Sequence, residues 1–358
     1  MDKGKNKKVY MEYSMYTDKR IAGSKAVLDS ALIVESSGYS ALWFMMGKEK
    51  KNKVTRVINQ AFTAISRLVT FLRISNKSLF FIQHPSAINK TLYLFIKYIS
   101  AKKNIGTIFL IHDFESLRLK QSNIVKIEEV IIKNASAIIC HNEKMMIELI
   151  KRGALQNKLI NLEIFDYIVE KPLKPRDDNG ENGIIFAGNL DKNKSSFIYK
   201  FNELSDKLNY HLYGPNYVKN DSNDFIKYHG ALDPEDLPDT MVGSYGLVWD
   251  GDSLESCTGV TGEYLKYNNP HKASLYIASG IPVVVWDKSA MSDYVIDNDL
   301  GITVSSLYDL DEAIDKISAE RYLELKKNAE AEGYKLRKGF YLKRALMQAE
   351  KLFEEKES

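Results

Sequence analysis

Residues 262–274 read GEYLKYNNPHKAS, and their order suits the binding of an anion. Pro270 fixes the start of a helix whose first turn holds His271, Lys272 and Ser274. Cations at a helix N-terminus oppose the helix dipole unless a bound anion neutralises them, so a phosphate is the economical reading. The alternative is an exposed helix start with an ordinary solvated lysine. A second loop, GNLDKNKSS at 188–196, follows an apolar run and joins Gly188 and Asn189 to Lys192, Lys194 and a serine pair, a set suited to a diphosphate. In the third, Tyr213 and Gly214 open the turn YGPN, which would lie against a ligand ring. In the fourth, Gly23 and Ser24 open a helix whose free N–H groups face an anion, with Lys25 adding charge. There the alternative is a serine N-cap beside a solvated lysine. Neither GxGxxG nor GxxxxGK[ST] occurs, so neither a dinucleotide fingerprint nor a P-loop is present.

Carboxylates follow other strands. In IHDFESLR at 111–118, Asp113 is the natural general base for a sugar hydroxyl, with His112 beside it; the alternative is a turn-capping aspartate. Asp18 is a second candidate base. Asp250 and Asp252 form a DxD triplet that would hold either a divalent cation or sugar hydroxyls, and no histidine or carboxylate is spaced to complete a metal cage. His84, His141, His211 and His229 lack metal-ligand spacing and read as structural. Cys140 and Cys257 are too few for a disulfide framework and fit a reducing cytosol.

These residues need strand ends to carry them. Apolar runs at 9–13, 41–45, 79–83, 107–111 and 136–140 alternate with helical patterns at 23–37, 54–72, 87–103, 124–134 and 143–152. Such alternation predicts a parallel sheet covered on both faces. The segment EKPLKPRDDNGENG at 170–183 reads as a linker. Beyond it the pattern restarts, with strands at 183–187, 210–213, 245–249, 282–286 and 301–304. Helices are predicted at 195–208, 271–279, 289–297, 309–317, 319–331 and 335–353. The fold class is therefore α/β, two Rossmann-like doubly wound domains facing across a cleft, with ligands expected beyond the strand ends.

The segments AGSKA, LIHDFESLR, LEIFDY, FAGNLDK, LYGPNY, GLVWDGDS and GEYLKYNNPHKASLYIASGIPVV together resemble bacterial β-1,6-galactofuranosyltransferases. More distantly they are similar to the glucosyltransferases that extend adhesin glycans. The resemblance runs from Val9 to about residue 340, and the last segment carries most of its specificity. It implies a GT-B fold with an acceptor domain at 1–169, a linker at 170–183, a UDP-sugar domain at 184–334 and a final helix at 335–358 returning to the first domain. It implies diphosphate contacts at Gly188, Asn189, Lys192 or Lys194, His271, Lys272 and Ser274, with Glu263 and Asn269 as further donor-binding positions. Metal-independent catalysis follows from the resemblance, which moves Asp250 and Asp252 toward sugar-hydroxyl recognition. The expected reaction is inverting transfer of a hexose, preferably galactofuranose, from UDP to a hydroxyl of a growing surface glycan. Alternatives are a UDP-glucose or UDP-galactopyranose transferase acting on a glycoprotein, and a non-catalytic GT-B-like subunit supporting a partner transferase.

Charge adds one clue. The chain of 358 residues has a net charge of +3, yet residues 1–170 hold 27 Lys and Arg against 15 Asp and Glu, and the remainder 23 against 32. No interleaved aromatic motif supports nucleic-acid binding. The helix predicted at 54–72 has apolar residues at 54, 57, 58, 61, 62, 65, 68, 69 and 72, with Lys48, Lys50, Lys51, Lys53, Arg56, Arg67 and Arg73 around it. That pattern suits an anionic membrane surface, and an ordinary core-facing helix fits equally well; an acceptor linked to a lipid diphosphate is what the resemblance implies. The protein is expected in the cytoplasm, peripheral at the inner face of the membrane. Relatives suggest a homo-oligomer, although no stripe in the sequence decides it.

Overall fold

In the computed structural model of the protein, the described residues are 8–13, 22–45, 52–118, 122–176, 180, 183–218 and 223–357. Asp18 lies outside them. The chain divides into two units, Met1–Asp18 with Ser30–Leu162 and Leu342–Ser358, and Lys19–Asp29 with Glu163–Tyr341.

The first unit carries strands β1 (Lys8–Tyr13), β2 (Ser40–Phe44), β3 (Leu79–His84), β4 (Gly106–Ile111), β5 (Ala137–Cys140) and β6 (Leu159–Asn161). They form one sheet in the order β2-β1-β3-β4-β5-β6, every pair parallel. Its helices are α1 (Ala22–Ser36, whose first residues belong to the second unit), α2 (Lys53–Leu72), α3 (Asn89–Phe95), α4 (Glu115–Arg118), α5 (Ser122–Asn134) and α6 (Glu143–Lys151). Buried throughout, β4 and β5 read as unbroken apolar runs because helices cover both faces. The Asn52 and Asn142 side chains accept from the amides of Val54 and Met145, each at 2.9 Å, so both helix starts are capped by a residue type that favours that position.

The second unit carries β7 (Ile184–Ala187), β8 (Tyr210–Tyr213), β9 (Ile226–Tyr228), β10 (Tyr245–Val248), β11 (Val283–Trp286) and β12 (Gly301–Val304). The order β12-β11-β10-β7-β8-β9, again all parallel, is that of the Rossmann fold, and the strand order reverses between β7 and β10. Its helices are α7 (Leu237–Thr240), α8 (Gly259–Tyr264), α9 (His271–Ala278), α10 (Ser292–Asp297), α11 (Leu310–Asp315) and α12 (Ala319–Arg337), and α13 (Phe340–Glu357) ends the chain.

Several expectations shift. Strands β6 and β9, three residues each, are too short to stand out as apolar runs, and the helix predicted at 195–208 is a shorter 3₁₀ stretch, Ser196–Glu203. The helix predicted from 335 is the end of α12 followed by α13, because Gly339 (φ 69°) adopts a left-handed conformation that stops α12. Within the first unit Phe353 of α13 is buried against Gly106 and Leu79, and Lys8 bonds Glu350 at 2.7 Å. Residues 163–169 belong to the second unit rather than the first, since Tyr167 donates to the Pro234 carbonyl at 2.7 Å and Asp166 accepts from the Tyr341 amide at 3.1 Å. Arg176, within the expected linker, donates to the Met241 and Gly243 carbonyls at 2.8 and 2.7 Å and is thereby tied to that unit.

His141, buried after β5, bonds the Ile111 carbonyl through Nε2 at 2.9 Å, so that nitrogen carries the hydrogen. Burial pushes its pKa down to about 4. The unfolded chain therefore binds a proton from about pH 6.5 that the folded chain refuses until about pH 4. Stability is full above 6.5 and falls as pH drops through that window, by on the order of 3 kcal/mol from this group. His141→Gln should flatten the urea-derived stability–pH curve between pH 6.5 and 4; an unchanged slope would remove His141 as the cause.

Candidate active site

The strand-order reversal in the second unit brings the ends of β7 and β10 together, and a cavity of about 240 Å³ opens at the end of β7. Its walls come from the loops after β7 and β8, the first turn of α9, Lys25 of α1, Tyr167 and the segment before α7. Of the residues singled out above, it gathers Lys25, Gly188, Asn189, Lys194, Tyr213, Gly214, His271 and Lys272.

Backbone contact sets the two strand-end loops. The Gly188 amide donates to the Tyr213 carbonyl at 2.9 Å, and a Cβ on Gly214 (φ 141°) would sit 1.7 Å from the Gly188 carbonyl oxygen. Only glycine fits there. Asn189 Oδ1 accepts from the Asp191 amide and from Asn216 Nδ2, each at 3.0 Å, so this side chain binds the two loops together. Behind them the Ala187 amide donates to the Tyr276 hydroxyl of α9 at 2.7 Å.

Lys272 carries the charge deepest into the site. Its ammonium donates to the Trp249 carbonyl at 2.8 Å and to Asp250 Oδ1 at 2.9 Å, and it lies 4.8 Å from the centre of the Phe186 ring. Burial lowers its pKa; Asp250 opposes that shift and Lys194 adds to it. Two ammonium groups thus share one cavity, and Lys194, unlike Lys272, is exposed. A ligand with two or more negative charges is complementary to that pair.

His271 departs from the sequence reading. Its ring stacks on Tyr167, with centroids 5.1 Å apart, and Nε2 faces the Asp166 carbonyl at 3.3 Å. Burial holds its pKa near 4, so the ring is neutral at physiological pH and supplies no cation at the helix start. Lys25 also differs. It is buried and already paired, to Asp29 at 2.7 Å, to Glu235 at 2.5 Å and to the Ile168 carbonyl at 2.8 Å. Burial raises Asp29 to about 6, against the pull of Lys25. An anion reaching Lys25 must compete with two carboxylates.

Other candidates lie elsewhere. The Lys192 ammonium sits 5.1 Å over the Tyr199 ring, so Lys194 rather than Lys192 lines the cavity. Asp252 accepts from Thr258, Glu263 pairs with Lys266, and Asn269 donates to the Glu163 carbonyl at 2.6 Å. Ser274 is buried inside α9. Gly23 and Ser24 fall in the first turn of α1, with side chains outside the described residues. Among the described residues no group of three or more His, Cys, Asp or Glu is arranged to hold a metal. In the first unit, Asp113 follows β4, with Arg118 at 3.7 Å, and His112 Nε2 meets Gln83 Oε1 at 2.6 Å.

Tyr167, Asp29, Glu235 and Tyr276 were missed. Asp29 had a signal, four residues beyond Lys25 on one helix face; Glu235 had none, because its approach to Lys25 spans 210 residues.

Residues 8–164 match the N-terminal domain of the Glucosyltransferase 3-like family, and residues 184–349 match its C-terminal domain. The Escherichia coli (strain K12) β-1,6-galactofuranosyltransferase WbbI is 33% identical over 283 residues, covering 78% of this chain and 82% of WbbI. Glucosyltransferase 3 of Streptococcus gordonii is 25% identical over 244 residues, 68% of this chain and 70% of its own. The crystal structure of Anabaena HepE in complex with UDP and glucose superimposes with a TM-score of 0.60 at 12% identity, covering 99% of this chain and 100% of HepE. The fold is GT-B.

Tyr276→Phe would leave the Ala187 amide buried without its acceptor, at a cost of about 1–3 kcal/mol. Urea unfolding should register that loss, and a change below ~0.5 kcal/mol would mean that the amide finds another partner.

Proposed function

The chain belongs to the family of bacterial β-1,6-galactofuranosyltransferases and glucosyltransferase 3-like enzymes, and from that membership we propose that it transfers galactofuranose from UDP-galactofuranose, with inversion, to a hydroxyl of a growing surface glycan. It is a UDP-sugar-dependent glycosyltransferase. The observation that carries the donor side is the pair Lys194 and Lys272 in one cavity beside the start of α9.

In the reaction the bond from the anomeric carbon to the diphosphate oxygen breaks as the acceptor oxygen bonds to the opposite face. Negative charge grows on the departing UDP, and Lys194, Lys272 and the open amides at the α9 start stabilise it. Neutral His271 orients rather than neutralises. The acceptor oxygen loses its proton to a base, for which we assign Asp113. Catalysis needs no metal in this reading: Asp250 serves to hold Lys272, and Asp252 is engaged with Thr258. The acceptor is a glycan on a lipid diphosphate, and the protein works at the inner membrane surface, alone or as a homo-oligomer.

Lys272→Ala should lower turnover by roughly 10²–10³ and weaken UDP binding, whereas Lys192→Ala should change either little. In a UDP-release assay kcat/KM should be highest with UDP-galactofuranose, ahead of UDP-galactose and UDP-glucose, and a chelator should leave it unchanged. Absence of turnover with all three donors would overturn the assignment. Asp113→Asn should lose roughly 10²–10⁴ in turnover while keeping UDP affinity; full activity in a folded variant would remove Asp113 as the base.

A further inference from the structure

Helix α2 is turned the wrong way for a helix that only covers a sheet. An amphipathic surface helix normally buries its apolar stripe. Here the buried side chains are Thr63 and Phe71, while Val54, Val57, Ile58, Phe62, Ile65, Val69 and Leu72 are exposed. Ile58 and Phe62 are 63% and 61% exposed. At 100° per residue all seven fall within one stripe less than half the helix circumference wide. The edge strand β2 continues the apolar surface with Trp43 (61% exposed) and Met45 just beyond it, whose carbonyl accepts from Arg67 Nε of α2 at 2.9 Å.

From residue 50 to residue 112 the sequence carries charge of one sign, with Glu49 the nearest acid before it. Residues 50–112 contain eleven Lys and Arg and no Asp or Glu. Lys53, Arg56 and Arg73 are exposed at the two ends of α2, and Lys103 caps its last turn by donating to the Leu72 and Ile74 carbonyls. An apolar ridge on a helix whose described charged residues are all cations is complementary to a surface that is apolar within and anionic at its boundary. A second copy is a poor occupant, because pairing two such faces in either direction sets basic ends against basic ends.

We propose that the outer face of α2, with Trp43 and Met45, is a docking surface for an anionic lipid bilayer, α2 lying in the interfacial plane with its stripe among the acyl chains. The proposal rests on and deepens the membrane part of the reading above by fixing the outward direction of the stripe and adding Trp43 and Met45 to it. The experiment uses the full chain without sugar donor, so its outcome is independent of the transferase assignment.

Flotation is measured with vesicles of equimolar phosphatidylglycerol and phosphatidylcholine, and with phosphatidylcholine alone. The chain should float with the anionic vesicles, less so at high salt. The triple variant Ile58→Ser/Phe62→Ser/Ile65→Ser should lose binding at least roughly tenfold, with thermal unfolding and UDP affinity unchanged. Lys53→Gln/Arg56→Gln should bind the anionic vesicles several-fold more weakly and with less salt dependence. No flotation of the parent chain, equal flotation of the triple variant, or a parent dimer that the triple variant dissociates would each overturn the proposal. In the last case a second copy covers the face.

Discussion

The cavity of the second unit depends on the ion pair between Lys272 and Asp250. A buried ammonium is tolerable only with its donors satisfied and a counter-charge in contact, and Lys272 has the Trp249 carbonyl and the Asp250 carboxylate. The pair spans α9 and the end of β10, so it fixes the start of α9 against the sheet. Tyr276, one turn further along α9, accepts from the end of β7, and the helix is held to both strands at the reversal of strand order. Removing either contact would loosen the geometry of the charges as well as their number.

The cavity is prepared for an anion unevenly. Lys194 is exposed, Lys272 shares its charge with one carboxylate, and Lys25 is compensated by two. A diphosphate would therefore gain most from Lys194 and Lys272. Lys25, with Asp29 and Glu235, works first as a strut within the second unit, tying residues 25–29 to the segments at 168 and 235. The neutrality of His271 follows the same logic, since an imidazolium in that buried stack with Tyr167 would pay desolvation without a counter-ion.

The opposite condition holds on α2. Its apolar residues face outward and its buried residues include a threonine, so the energy that usually holds a helix to its sheet is displaced to the solvent side. Such a face is retained at a risk of aggregation unless something covers it. Periodicity located the stripe correctly but left its direction open, because hydrophobic spacing says which residues share a face and not which side of the helix meets the sheet.

Most strands, the parallel α/β class and the strand ends and helix starts bearing Lys25, Gly188, Asn189, Lys194, Tyr213, Gly214, His271 and Lys272 were legible in the residues. Strand runs, helix starts and turn glycines are local properties, and each leaves a local pattern. Tertiary structure alone decided that Lys194 rather than Lys192 reaches the cavity, that His271 is neutral, that Glu235 opposes Lys25, and that Asp250 and Asp252 serve different partners. Each of those outcomes rests on burial or on a pairing between residues far apart in the chain. Burial and long-range pairing depend on the closed three-dimensional arrangement, which no window of sequence contains.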